Sequence, residues 1–217
     1  MDTVQFGASS IVAAAGGNRH SVVASAEGDV FTWGSVSYGR LGHNRVHGDW
    51  LAPALLGRGQ FGGRILFVAA GGLHMVAVAE GGVLWVWRDG SCGQLGLGDR
   101  DSRLVPTRLG PAIEVLGELG TRGWEEVFWG SLVRVAACGH VHTLVVTKEG
   151  AVWVNGRGEH GRLGLNDEDD RLVPTREGPQ HFAGSKVSTV AAGAADLLSF
   201  WGKLHAPGCG CIECTVD

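Results

Sequence analysis

The chain has 217 residues, of which 44% are hydrophobic and 37 are glycine, and its net charge is −4 from 18 Lys+Arg against 22 Asp+Glu. A chain of this length and apolar content buries a real core and is not a disordered one. The acidic balance, with no basic block, argues against nucleic acid as a partner, and no run approaches the roughly 18 apolar residues of a membrane span.

The N-terminus, MDTVQFGASSIVAAAGG, carries an acidic residue at position 2 and lacks the charged start and long apolar stretch of a signal peptide. Five cysteines, three of them crowded at the end, suit a reducing compartment better than a disulfide framework. A cytoplasmic or nuclear location is therefore expected.

After a lead-in over 1–10, the chain says nearly the same thing three times. Gly17, Gly71 and Gly139 are each followed three residues on by a histidine, His20, His74 and His142. Then come Gly28, Gly82 and Gly150, the aromatics Phe31, Trp85 and Trp153, and the leucines Leu41, Leu95 and Leu163 of a Gly-x-Leu-Gly turn, at matching intervals without a gap. Such self-similarity marks a repeat architecture. The repeats are read as 11–66, 67–133 (with an insertion near 111–131) and 134–189. A partial fourth covers 190–200, where Asp196 replaces the histidine, and a Cys-rich tail covers 201–217.

The second copy shows what one repeat builds. Val68-Ala69-Ala70 is a short apolar strand, and His74 to Ala79 alternates, with Val76 and Val78 on one side and Met75, Ala77 and Ala79 on the other. Glu80-Gly81-Gly82 is a turn, and Val83 to Trp87 is a strand rich in β-branched and aromatic residues. Leu104-Val105-Pro106 is an edge strand, where a missing N–H is tolerated. One four-stranded sheet of this size cannot bury both faces alone, so copies must stack. The expected fold is all-β: a partial β-propeller of four-stranded antiparallel blades, three complete repeats plus a stub. Stacking also predicts that Phe31, Trp85 and Trp153 pack between adjacent sheets.

The same residues carry a family resemblance. Gly-x-x-His, then Gly, an apolar strand with Trp, Gly-(Gln/Arg)-Leu-Gly and Leu-x-Pro resembles the repeat of the regulator of chromosome condensation family. GGLHMVAVAEGGVLWVW…GQLGLGD…LVPT and CGHVHTLVVTKEGAVWV…GRLGLND…LVPT look like complete members. The resemblance implies a seven-bladed propeller used as a protein-interaction platform, about three and a half blades of which are present. It also implies guanine nucleotide exchange on a small GTPase, or regulation and targeting of ubiquitin ligases, as roles of members.

Recurrence sorts the candidate sites. Gly17, His20, Trp33, Gly71, His74, Trp85, Gly139, His142 and Trp153 recur and are assigned to scaffold rather than catalysis. Cys138, His140 and His142 share one face of an extended strand, but that alternation is read as packing, because metal binding needs three or four convergent ligands. The tail Cys209, Cys211 and Cys214, with His205 nearby, has the ligand types for zinc but lacks a second paired knuckle. No metal or other cofactor is expected.

One stretch is unrepeated. Pro106 to Val135 spans 29 residues, against 15 from Pro53 to Val68 and 16 from Pro174 to Val190. The surplus concentrates Trp124, Glu125, Glu126, Phe128 and Trp129. Aromatics on a connection carried by a rigid scaffold are usual interface anchors, and the acidic setting favours a basic partner surface. The bland reading is that these rings cover a blade edge. The function expected is a non-catalytic protein–protein interaction module. Its alternatives are a guanine nucleotide exchange factor for a small GTPase and the targeting portion of a ubiquitin ligase. Open blade edges also predict self-association.

Overall fold

The computed structural model describes residues 9–56, 58–109, 131–178, 185–193 and the backbone of 198–201. Three four-stranded antiparallel meanders follow one another along the chain. The first is β1 (Ile11–Gly16), β2 (His20–Ser25), β3 (Val30–Gly34) and β4 (Trp50–Leu55). The second is β5 (Ile65–Ala70), β6 (His74–Ala79), β7 (Val83–Arg88) and β8 (Arg103–Leu109). The third is β9 (Val133–Cys138), β10 (His142–Thr147), β11 (Val152–Gly156) and β12 (Arg171–Arg176). A two-stranded start of a fourth sheet pairs β13 (Thr189–Ala192) with β14 (Leu198–Trp201). The innermost strands β1, β5, β9 and β13 neighbour one another in that order. The chain thus forms the all-β partial propeller that its repeats imply.

Register repeats with the sequence. His20 pairs Gly34, His74 pairs Arg88 and His142 pairs Gly156, while Val23, Ala77 and Val145 pair the aromatics Phe31, Trp85 and Trp153. Tight β2–β3, β6–β7 and β10–β11 turns hold this register because Gly28, Gly82 and Gly150 take φ of 87°, 74° and 86°, where a side chain is strained.

The core lies between blades rather than within one. Every residue of β6 is buried, because its two faces feed two different cores. Met75, Ala77 and Ala79 join Val22, Ala24, Val30 and Trp87 between blades one and two. Val76 and Val78 join Val145 and Trp153 between blades two and three. Leu144, Val146, Val154 and Leu163 pack on Val187 and Val190 toward the fourth sheet. The period-2 alternation sorts apolar side chains between two partners, not between core and water.

The aromatic column follows the same geometry. Trp153 is 5% exposed in the second junction, and Trp85 meets Phe61 edge-on, ring centroids 5.7 Å apart, at the first. Phe31 departs from the expectation. It faces away from blade two, and no described sheet precedes blade one, so it is only half-buried, as is Trp33.

Candidate functional site

The recurring residues meet at the blade junctions. Gly17, Gly71 and Gly139 each donate their N–H to the carbonyl of the histidine three residues on, all at 2.9 Å. That turn lays each imidazole against its own glycine, so a Cβ at Gly17 or Gly139 would collide with the ring of His20 or His142. Gly28, Gly82 and Gly150 face the residues that lead into the next blade, where a Cβ would meet Arg64, Leu132 and Lys186. The Gly-x-x-His spacing is therefore steric: glycine leaves room for a buried ring.

Between blades two and three these groups form a hydrogen-bonded lock. His74 Nε2 lies 2.7 Å from Thr143 Oγ1, and that hydroxyl donates to the Gln94 carbonyl at 2.7 Å. Asn155 Nδ2 donates to the Gly93 and Gln94 carbonyls at 3.0 and 2.9 Å. In the rim loops Arg100 pairs with Asp170 at 2.9 Å across the junction, and Arg103 with Asp99 at 2.6 Å within its own blade. Burial pushes His74 down to about 3, with help from His142 and Arg88, so the ring is neutral near pH 7.

The junction between blades one and two differs. Met75 stands where blade three has Thr143, and Trp87 where it has Asn155. His20 is 4% exposed, and among the described residues neither ring nitrogen has a hydrogen-bond partner. Burial first, then Arg88 and Arg40, push it down to about 3. Arg88 occupies the column held by Gly34 and Gly156 and keeps the left-handed conformation of those glycines, φ 88° against 109° and 113°. Comparing the three copies at that column is the one sequence signal that would have found it.

Cys138 and His140 lie at the propeller axis, where a cavity of about 540 Å³ opens among Gly16, Gly17, Gly72 and Gly139. His140 packs over Gly72 and is exposed, and burial raises the Cys138 thiol above its usual range. Cys138, His140 and His142 are not drawn into a metal-holding group, and none exists among the described residues. Trp124, Glu125, Glu126, Phe128 and Trp129 lie outside the described residues, as do His205, Cys209, Cys211 and Cys214. Among the described residues no helix is long and apolar enough to cross a membrane.

Comparison with known proteins agrees with the repeat geometry. The family model for the regulator of chromosome condensation (RCC1) repeat matches residues 27–78 and 149–195. The chain is 34% identical, over 91% of its length, to the ultraviolet-B receptor UVR8 of Arabidopsis thaliana, covering 41% of it. It is 32% identical, over 89% of its length, to the probable E3 ubiquitin-protein ligase HERC3 of Homo sapiens, covering 17% of it. Human WBSCR16 superposes with TM-score 0.72 at 24% identity, over 91% of this chain and 46% of that one. Prp20p of Saccharomyces cerevisiae superposes with TM-score 0.68 at 21% identity, over 83% and 41%. The chain spans less than half the length of each of these relatives. With its Gly-x-x-His turns and stacked four-stranded blades, it belongs to the regulator of chromosome condensation repeat family.

Proposed function

We propose that this chain is a non-catalytic protein–protein interaction module whose partner site is the unrepeated 111–131 connection, with Trp124, Phe128 and Trp129 as anchors and Glu125 and Glu126 setting the charge. The observation that carries the reading is a division of labour. His74, Thr143, Gln94 and Asn155 are committed to one another between blades, which leaves recognition to residues that occur once. A long connection on a rigid scaffold is where such residues belong. Relatives named as a light receptor and a ubiquitin ligase suit a shared interaction scaffold, not a shared chemistry.

The test is a pull-down with wild-type chain and the Trp124→Ala/Trp129→Ala variant, melted in parallel. The reading expects retention of a specific partner to be lost while the melting temperature holds. A lowered melting temperature with aggregation would mean that the rings shield a blade edge. Exchange on a small GTPase is the second reading, favoured by the Gsp1p binding named for the yeast propeller. Accelerated release of labelled GDP from a small GTPase would support it over a plain scaffold.

A further inference from the structure

Blade one carries a rim unlike those of the other two blades. In blades two and three an ion pair ties the loop before the outer strand to that strand, Arg103 to Asp99 at 2.6 Å and Arg171 to Asp167. Strand register puts Trp50 in the column of both arginines: it pairs Gly34 as Arg103 pairs Arg88 and Arg171 pairs Gly156. Arg45 stands four residues beyond Leu41, as Asp99 and Asp167 stand four beyond Leu95 and Leu163. In blade one the acid of the pair is thus reversed in sign and its arginine is replaced by a neutral ring.

Other contacts hold the blade-one loop. The Trp50 ring stacks on His43, centroids 4.1 Å apart, and His43 Nε2 lies 3.1 Å from Thr32 Oγ1. Asp49, the one acid between Leu41 and Trp50, accepts the Val36 N–H at 3.2 Å and so is committed to the loop's own backbone. Arg45 is exposed and makes no hydrogen bond or ion pair among the described residues. Bare aliphatic surface borders it: Val46 is 41% exposed and Leu51 96%, whereas Leu104, in the column of Leu51, is 36% exposed. Gly39 lies over Leu104 and Gly93 over Leu172, but no described loop lies over Leu51. A free guanidinium beside uncovered aliphatic side chains contributes nothing to this fold and has the composition of an interface.

We propose that the rim of blade one, centred on Arg45, Val46 and Leu51, docks an acidic segment of a partner protein that also carries aliphatic side chains. Charge complementarity selects this occupant. A partner carboxylate meets Arg45 as Asp99 meets Arg103 in blade two, and the aliphatic groups beside it cover Val46 and Leu51. All three side chains already face solvent, so nothing has to open to admit the segment. Nucleic acid suits the surface less, because the chain is net −4 and Asp49 stands in the same loop. This surface is separate from the 111–131 connection, and its partner has the opposite charge preference, so either assignment can fail without the other.

The experiment titrates the full chain into a fluorescein-labelled octapeptide of alternating Glu and Leu and follows polarisation, with alternating Lys and Leu and alternating Glu and Gly as comparison peptides. Arg45→Asp/Trp50→Arg rebuilds the ion pair of blades two and three and should melt where wild type does. Arg45→Gln changes only an exposed side chain, so the test does not hang on repacking the rim. Arg134→Gln, on exposed blade-three surface, is the control for lost charge. The rim predicts saturable binding of the Glu–Leu peptide with Kd below about 1 mM, weakened about fivefold by Arg45→Gln and tenfold or more by the double variant, but within about twofold for Arg134→Gln. The Lys–Leu peptide should not saturate, and the Glu–Gly peptide should bind about fivefold more weakly or worse. No saturable binding, equal binding of the Lys–Leu peptide, or equal losses in all variants would overturn it. So would displacement by a single-stranded oligonucleotide more readily than by unlabelled Glu–Leu peptide. Self-association of the wild-type chain that Arg45→Gln abolishes would give the surface to a second copy and overturn it as well.

Discussion

His74 Nε2 and Thr143 Oγ1, 69 residues apart in sequence, stand 2.7 Å apart across the junction of blades two and three, and the same hydroxyl reaches the Gln94 carbonyl. One side chain from blade three thereby satisfies two buried groups of blade two. Thr143→Val keeps the shape and removes the hydroxyl. It should lower unfolding stability by about 1–3 kcal/mol, the cost of leaving buried partners unmet. Denaturant melts check this, and an unchanged midpoint would mean that the junction does not depend on the bond.

The aromatic column gives a paired test. Trp153 is sealed between blades, whereas Phe31 is half-buried on a face of blade one against which no described sheet packs. Trp153→Ala should cost about 3–5 kcal/mol and Phe31→Ala no more than about 1 kcal/mol. Equal losses in chemical denaturation would contradict the difference in packing.

Gly81 and Gly82 share a left-handed backbone, φ 82° and 74°, but not their surroundings. A Cβ on Gly81 meets nothing within 4 Å, while one on Gly82 would press on the Val133 amide at 2.7 Å and on Leu132. Gly81→Ala should cost about 1 kcal/mol from the backbone alone. Gly82→Ala should cost clearly more, because the third blade must also move. Thermal melts of the two variants rank them directly.

Stability should fall with acid over a defined window. Unfolded histidine takes up its proton near 6.5, whereas folded His20 and His74 do so near 3. Between these values the unfolded chain binds more protons, so each step down in pH weakens the fold. The contribution is fully present above about pH 6.5 and is lost progressively toward pH 3, on the order of a few kcal/mol for each ring. His74→Gln should flatten the acid limb of the stability profile, as urea melts at a series of pH values would register.

The blades were legible because their constraints are local. A glycine three residues before a buried histidine, and a glycine at positive φ beside the next blade, mark each of the three complete copies at one spacing. Alternation in β6 separated Met75 and Ala77 from Val76 and Val78 correctly, but not that both faces are buried, since that depends on neighbours on either side. Phe31 carries the same signal as Trp153 but has no described sheet before its own. The lock of His74, Thr143, Gln94 and Asn155 was not legible, because its bonds join residues 49 to 69 positions apart that meet only when blades stack. Arg88 was overlooked for the converse reason. It is a single exception within a column of glycines.

The central claim is that stacked junctions preform the scaffold and that unrepeated residues recognise the partner. Amide hydrogen exchange on the free chain and on its complex with the captured partner tests both halves at once. The account predicts strong protection of β6 and β10 in the free chain, unchanged on binding, with new protection concentrated in peptides covering 111–131. Ready exchange of β6 and β10 in the free chain, or new protection centred on the blade strands instead, would contradict it.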